Sequence, residues 1–346
     1  MTQIGMIDTS QKGGIMIDTS QKGGIMIDTS QKGGIMIDTS QKGGLMIAIK
    51  ECFSGTVSGI TQVLVGQPFN TVKVRLQTQP APKPGQPLLY SSMLDCVRKT
   101  SKEGFSAFYK GTTTPLVGIG ACVSIQFAVL EQMKRFFNER NENKNFMLTN
   151  SQLFLSGSAA GIANSVLSGP IEHIRTRLQV QITPTQANSV KRPMLYSGPI
   201  DCIKKIYSTY GIRGIYKGQS MTMMREFHGY GTYFFLYEFL KRREGKGKKP
   251  RDIESWKAYL FGAIAGYGMW LVIYPIDVVK SKLQTDGFTP QTKKYKGALD
   301  CFVRTYRYEG LRGFFRGFGT VMLRAGPINA STFMAYELAM KGFDRL

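Results

Sequence analysis

Three segments of ten residues decide the fold: PFNTVKVRLQ at 68–77, PIEHIRTRLQ at 170–179 and PIDVVKSKLQ at 275–284. Each begins with a proline next to an apolar stretch and ends in glutamine. Their prolines are 102 and 105 residues apart, so the segments mark one position in three copies of a unit. Units of this kind bury their apolar faces against one another, which predicts a packed repeat protein.

The loop after each segment repeats as well. It carries LDCVRK at 94–99, IDCIKK at 200–205 and LDCFVR at 299–304, and then EGFSAFYKG at 103–111, YGIRGIYKG at 210–218 and EGLRGFFRG at 309–317. One unit is therefore a helix, a long basic loop and a second helix. We place the three units at 46–144, 145–250 and 251–346.

Long uncharged stretches flank these loops. Four carry no charged residue, at 52–72, 111–130, 146–171 and 258–276, and two more carry only Arg225 with Glu226, or Arg324, at 218–237 and 317–336. Each is close to the roughly 20 residues that cross the hydrocarbon core of a bilayer. We predict an all-α membrane protein with six transmembrane helices in three pseudo-threefold repeats. Small residues are expected to let these helices pack closely, at Gly55/Gly59, Gly157/Gly161 and Gly262/Gly266.

The charge balance is strongly basic. Lys and Arg number 45 against 23 Asp and Glu, a net charge of +22, which favours a polyanionic partner such as nucleic acid or anionic lipid. The uncharged stretches favour lipid. Five cysteines without a CxxC pair and only two histidines predict unpaired thiols and no metal site.

Residues 1–45 differ from the rest in composition. MIDTSQKGGI occurs at 6–15, 16–25 and 26–35, and returns at 36–45 with Leu45 as its last residue. Each copy is neutral and offers few apolar side chains to offset the entropy of ordering. We predict a disordered tail, because an organelle-targeting peptide would be rich in arginine and this stretch has none.

The triplicated pattern P-x-[DE]-x-x-[KR]-x-[KR]-x-Q, with its downstream aromatic-[KR]-G turn, resembles the mitochondrial carrier family over about residues 48–346. The resemblance implies three repeats around a central axis in the mitochondrial inner membrane, each with a short helix on the matrix side. It implies transport and no enzymatic reaction. The sequence itself contains no nucleophile–base set and no Gly-rich phosphate loop.

The resemblance assigns a matrix gate to the charged residues after each proline. Glu172 is expected to pair with Lys280, and Asp277 with Lys73. Asn70 stands where the family has an acid, so it is expected to give Arg175 only a hydrogen bond, which predicts a weaker gate. Three glutamines are expected to brace these contacts: Gln77, Gln179 and Gln284.

A second gate, on the cytoplasmic side, is implied by the pattern [FY]-[DE]-x-x-[KR] in the even-numbered spans. The pattern is complete only at Glu238 with Lys241. The first repeat has Glu131 and Lys134 after a leucine, and the third has Glu337 without a base at the matching position. The relative strength of the two gates is therefore left open.

Gly118, Arg225 and Arg324 lie 13 residues before these acids, about 20 Å along a helix, and so at one level. The resemblance makes them substrate contact points. Two guanidinium groups suit a carboxylate and Glu226 suits an ammonium group, which predicts a zwitterionic substrate. Gly118 and Ile119 are expected to leave room beside the first repeat, with Gln126 and Asn329 lining the cavity. His228 is expected to line it too, or to take part in proton coupling.

The spans at 222–241 and 321–341 look most like the carnitine/acylcarnitine and amino-acid branch of the family. We predict a multi-pass inner-membrane carrier that moves a small zwitterionic carboxylate, an amino acid, by alternating access and antiport. The alternatives are a carnitine/acylcarnitine exchanger and a membrane adaptor of the same fold that transports nothing. We expect a monomer without cofactor or nucleic-acid partner. Cardiolipin is the expected structural lipid at the basic matrix loops.

Overall fold

The computed structural model describes residues 15–18, 24–27, 42–80, 87–140, 148–181, 196–244 and 255–343. Six long helices account for most of them: α1 (Lys42–Thr78), α3 (Thr113–Arg140), α4 (Asn150–Gln179), α6 (Gln219–Glu244), α7 (Ser255–Thr285) and α9 (Phe318–Phe343). Three short helices lie in the loops within the repeats: α2 (Met93–Lys102), α5 (Pro199–Ile215) and α8 (Ala298–Phe314). A 3-10 turn at Phe105–Tyr109 follows α2. The all-α fold of three helix–loop–helix repeats is confirmed.

The tail contains a two-stranded antiparallel hairpin, β1 (Ile15–Asp18) and β2 (Gly24–Ile27), with Ile15 opposite Ile27. This pairing differs from the disorder predicted for these eight residues. Isoleucine favours extended backbone, and the decapeptide repeat supplies two similar strands. The remaining residues before α1, at 1–14, 19–23 and 28–41, lie outside the described ones, and α1 itself begins at Lys42.

The long helices form a ring because each repeat packs on the next. Helix α3 packs on α4, α6 on α7, and α9 on α1, and α4 packs on α6 within the second repeat. A hydrophobic cluster at the α6–α7 contact contains Tyr230, Tyr237, Trp270 and Ile273. The six long helices therefore surround one axis, as the threefold repeat requires.

Close helix packing through small residues is strongest in the second repeat. A β-carbon added at Gly161 would lie 2.7 Å from the backbone oxygen of Glu226, and one at Gly157 would lie 3.1 Å from that of Tyr230. Only glycine lets α4 and α6 approach this closely. In the third repeat, a β-carbon at Gly266 would meet open space, so Gly266 itself does not make the close contact predicted for it.

The motif prolines lie inside helices and do not end them. Helix α1 continues for ten residues past Pro68, to Thr78. The residues before the prolines anchor this region to the aromatic-[KR]-G turns: Gln67 donates to the Lys110 carbonyl at 2.9 Å, and Tyr274 donates to the Arg316 carbonyl at 2.9 Å. The glycines that end these turns have φ of 76–81°, a conformation that side chains disfavour.

Packing within each repeat explains why three of the cysteines recur at one position of the repeated unit. One cysteine lies at the equivalent position on each short helix: Cys96 on α2, Cys202 on α5 and Cys301 on α8. Each is fully buried against the first long helix of its repeat, which is α1, α4 or α7. Burial raises the pKa of the Cys96 thiol to about 11 and that of Cys202 to about 12. These thiols are free, as the sequence predicts, and their environment keeps them protonated.

Apolarity alone identifies few membrane spans. By length and composition, one described stretch, Leu260–Thr285, is apolar enough to cross a bilayer, and a second is added if the bent pair Phe105–Gly118 and Gly120–Arg140 counts as one span. The other long helices contain many glycine, serine, threonine and glutamine residues and carry the charges of the repeated motif. Their role as spans therefore rests on the repeat pattern.

Candidate functional site

Two buried ion pairs near the axis join the first long helices of the three repeats, α1, α4 and α7. Lys73 of α1 lies 2.7 Å from Asp277 of α7, and Lys280 of α7 lies 2.6 Å from Glu172 of α4. All four side chains are less than a tenth exposed. The structure thus brings together both acid–base pairs expected from the sequence. They tie α7 to each of the other two repeats.

The third expected contact, between Asn70 and Arg175, is not formed. The Asn70 carbonyl oxygen accepts a hydrogen bond from Arg324 at 2.7 Å, whereas Arg175 donates to Gln67 at 2.5 Å. A neutral amide attracts a guanidinium group much less than a carboxylate does. Asn70 therefore does not hold Arg175, and the nearby Gln67 oxygen takes its place.

Only one of the three glutamines braces an ion pair. Gln77 donates to Asp277 at 2.9 Å. Gln179 and Gln284 lie near threonine hydroxyls, those of Thr71 and Thr222, at 3.4 Å each. The prediction for Gln179 and Gln284 is wrong, because both amides extend to a neighbouring repeat at positions that carry no charge.

The two arginines predicted to contact substrate reach this same layer. Arg225 donates to both Glu172 oxygens at 2.8 and 3.1 Å, also bonds Glu226, and lies 3.9 Å from Asp277. Arg324 bonds Asn70. Positions 70, 172 and 277 are equivalent in the three repeats, so both arginines lie at one level. Both are about 95% buried, and sequence spacing gave no sign that they would join the ion-pair layer.

The remaining cavity residues are more scattered. Gln126 is buried and accepts from the Tyr230 hydroxyl at 2.9 Å, and His228 is half-buried with its ring edge-on to Phe227. Asn329 is exposed on α9, and the side chain of Ile119 is outside the described ones. The room expected at Gly118 is filled: a β-carbon there would lie 2.2 Å from Ile171.

The residues of the predicted cytoplasmic gate lie toward the C-terminal ends of the second long helices of the repeats, α3, α6 and α9. Glu131 lies 3.3 Å from Lys134 within α3, and Glu337 lies 3.6 Å from Lys341 within α9. Glu238 is half-buried on α6, and the ammonium of Lys241 lies 5.9 Å from the Tyr237 ring centre. The acids of the first and third repeats thus have ion-pair partners in their own helices, whereas Glu172 and Asp277 of the matrix layer also pair with lysines of other helices.

Comparison with known proteins settles the family. A sequence profile described as mitochondrial carrier protein matches three times, at residues 47–141, 147–247 and 251–345. The chain belongs to the mitochondrial carrier family. It is therefore a transporter of small molecules in a mitochondrial membrane, and not an enzyme.

Several curated relatives of this carrier align over most of their length. The glutamate/glycine mitochondrial carrier of Schizosaccharomyces pombe is 49% identical over 83% of this chain and 92% of its own. The mitochondrial glycine transporter of Saccharomyces cerevisiae is 44% identical over 85% and 91%. The mitochondrial carnitine/acylcarnitine carrier protein of Rattus norvegicus is 38% identical over 85% and 94%.

The second repeat of this carrier replaces an ion pair by aromatic contacts. Arg75 pairs with Glu103 at 2.5 Å, and Lys282 pairs with Glu309 in the third repeat. In the second repeat, Tyr210 stands in the place of the acid and stacks on Phe288, with ring centres 4.3 Å apart. The sequence shows Tyr210 as a departure from the pattern but gives no sign of Phe288, which comes from the third repeat.

Two cations of this carrier share the Phe288 ring. The guanidinium of Arg177 lies 4.2 Å and the ammonium of Lys217 lies 4.4 Å from its centre. Lys217 also donates to the Asp286 carbonyl at 2.8 Å. Burial, and then the nearby charge of Arg177, lower the pKa of Lys217 from 10.5 to about 8. Cation–π contacts here occupy the place that a carboxylate has in the other repeats, without supplying its negative charge.

Proposed function

We propose that this carrier spans the mitochondrial inner membrane with six helices and moves a small zwitterionic amino acid by alternating access, in exchange for another substrate. The observation that supports it most is Arg225, which faces the axis beside Glu226 and bonds Glu172 of the ion-pair layer. A guanidinium group binds a carboxylate with two parallel bonds, and a carboxylate binds an ammonium group. The adjacent pair thus suits both ends of an amino acid.

The size of the space at this level supports a small substrate. Ile171 fills the gap beside Gly118, where a larger side chain would clash. A long acyl chain would need room that Ile171 takes in this arrangement. The pair Arg225 and Glu226 is equally able to bind carnitine, so the acylcarnitine exchanger stays as the second candidate, supported by the 38% identical rat relative.

The shared partner of Arg225 gives a route from binding to gate opening. Glu172 bonds both Lys280 and Arg225. A substrate carboxylate that binds Arg225 competes with Glu172, and this weakens the contact of Glu172 with the layer. The binding energy of the substrate thereby offsets part of the cost of opening the matrix gate. The same chain of contacts argues against a non-transporting adaptor.

Orientation and lipid contacts complete the proposal. The loops at 73–110, 172–217 and 277–316 carry 7, 8 and 9 Lys and Arg, which favours the matrix side.

A cavity at the membrane edge lies between the start of α2 at Ser92 and the turn at Arg316 and Gly317. Helix N-termini and arginine suit the phosphates of cardiolipin. Equal competition by zwitterionic lipid in a lipid-exchange assay would contradict this part. We propose a monomer without a nucleic-acid partner.

Uptake by proteoliposomes tests the substrate. The full chain, reconstituted with cardiolipin, is expected to exchange internal glycine for external labelled glycine or glutamate at least about tenfold faster than for carnitine or acetylcarnitine, since a small zwitterion needs no acyl space. Labelled ADP serves as the negative control. Faster uptake of carnitine esters would replace the amino acid by the second candidate. Uptake of none of these would contradict the proposal.

A further inference from the structure

The third position of the ion-pair layer contains a buried arginine without an acid. Arg175 is 93% buried and forms no ion pair within 4.0 Å among the described residues. One of its guanidinium nitrogens donates to Gln67, but its Nε atom has no hydrogen-bond partner within the described part of the chain. A buried cation without a counter-charge is costly, so this arrangement calls for an anion.

The charges of the whole layer are also unequal. Its cations are Lys73, Arg175, Arg225, Lys280 and Arg324, and its anions are Glu172, Glu226 and Asp277. Glu172 is the acid nearest to Arg175, but Lys280 and Arg225 already bond it. The described layer therefore has two more positive charges than negative ones, and Asn70, which stands in place of a carboxylate, accounts for one of the two.

A small cavity lies where that carboxylate would be. Its volume of about 10 Å³ is the space that one water molecule or an ion of similar size needs. Asn70, Glu172, Arg175, Gln179 and Lys280 line it. The side-chain oxygen of Asn70 accepts a hydrogen bond from Arg324. The NH₂ group of Asn70 remains as a donor, and it donates no hydrogen bond to any residue in the described ranges.

We propose that this cavity binds one small monovalent anion, a halide or a free carboxylate, which takes the place of the missing acid at position 70. Arg175 supplies the charge and its unpartnered Nε–H, and Asn70 supplies its NH₂ group. Such an anion completes the third contact between the repeats. The stability of the matrix-closed state of this carrier then depends on which anion is present. A gate built from three acids would show no such dependence.

Thermal unfolding of the purified full chain in detergent, without transport substrate, tests the site. The reference salt is sodium gluconate, whose anion is larger than the cavity, and ionic strength is constant. Replacing gluconate with chloride or formate is expected to raise the Tm of the wild type by roughly 2–4 °C. This rise in Tm is expected to reach a plateau as the concentration of the anion increases. A response to either anion supports the proposal and tells halide from carboxylate. No response to both overturns it.

Variants connect the response to this cavity. Asn70→Asp supplies the carboxylate covalently, so its Tm is expected to exceed that of the wild type in gluconate and to be unchanged by chloride or formate. Asn138→Asp adds the same charge at an exposed position of α3 and is expected to keep the wild-type response. If Asn70→Asp responds to the anions as the wild type does, the anion binds elsewhere and the proposal is wrong.

Discussion

Replacing Arg225 by glutamine is expected to reduce amino-acid exchange about 100-fold or more, because a bidentate, charge-assisted contact to the substrate carboxylate is lost. The same change leaves Glu172 and Glu226 without the cation that lies between them. Arg225→Lys keeps the charge but not the two parallel bonds, so an intermediate rate is expected. Initial rates of labelled glycine uptake into proteoliposomes measure both.

Arg304→Gln is the matched control for this loss. Arg304 is an exposed arginine of α8 that pairs with Asp300 in its own helix at 2.9 Å. The Arg304→Gln variant is therefore expected to transport at the wild-type rate. The Tm of each variant shows whether it is folded. A folded Arg225→Gln variant that transports within about threefold of the wild type would remove Arg225 from the substrate site.

Asp277→Asn is expected to destabilise the matrix-closed structure by about 3–5 kcal/mol, since it leaves a buried lysine without its acid. Lys73 is 1% exposed, and its ammonium lies 2.7 Å from Asp277 and 4.6 Å from the Trp270 ring centre. The Gln77 hydrogen bond to Asp277 weakens as well. Chemical or thermal unfolding in detergent measures the loss.

Two further variants separate the charge from the packing. The pair Lys73→Met with Asp277→Leu removes both charges and is expected to recover most of the stability, because neither member of this pair is left behind as an unpaired buried charge. Asp300→Asn breaks an exposed pair and is expected to cost less than about 1 kcal/mol. If Asp277→Asn costs no more than Asp300→Asn, the layer does not hold the repeats together.

The sequence was sufficient for the parts of this carrier that repeat. The repeated prolines and loops gave the three units, and the six long stretches with little or no charge gave the number of long helices. The short helix in each repeat came from the resemblance to the family. The partners of Lys73 and Lys280 came from the resemblance to the family, and the structure shows both pairs. The hydropathy of single helices would have been a poor guide, because Leu260–Thr285 is the only plainly apolar stretch within the helices that the structure describes.

The contacts that the sequence did not give are those between non-equivalent positions. Helical spacing placed Arg225 and Arg324 at one level, but it contains no information on how α6 and α9 are offset along the axis relative to α1 and α4. Their bonds to Glu172 and Asn70 follow from that offset. The room expected at Gly118 was likewise lost to Ile171, a residue of another repeat.

The central claim of the proposal is that the ion pairs close the matrix side, so that a substrate reaches the buried Arg225 from the cytoplasmic side. Thr232 lies two turns from Arg225 on the same face of α6 and is half-buried, so Thr232→Cys is a suitable reporter. Labelling by a membrane-impermeant thiol reagent is compared between intact mitochondria and inverted inner-membrane vesicles. The parent protein, whose four described cysteines are buried, gives the background.

Without substrate, we predict labelling of Thr232→Cys about tenfold faster or more from the cytoplasmic face than from the matrix face, and Asp277→Asn is expected to remove most of this difference. Equal labelling from the two faces in the protein with an intact Asp277 would contradict the account.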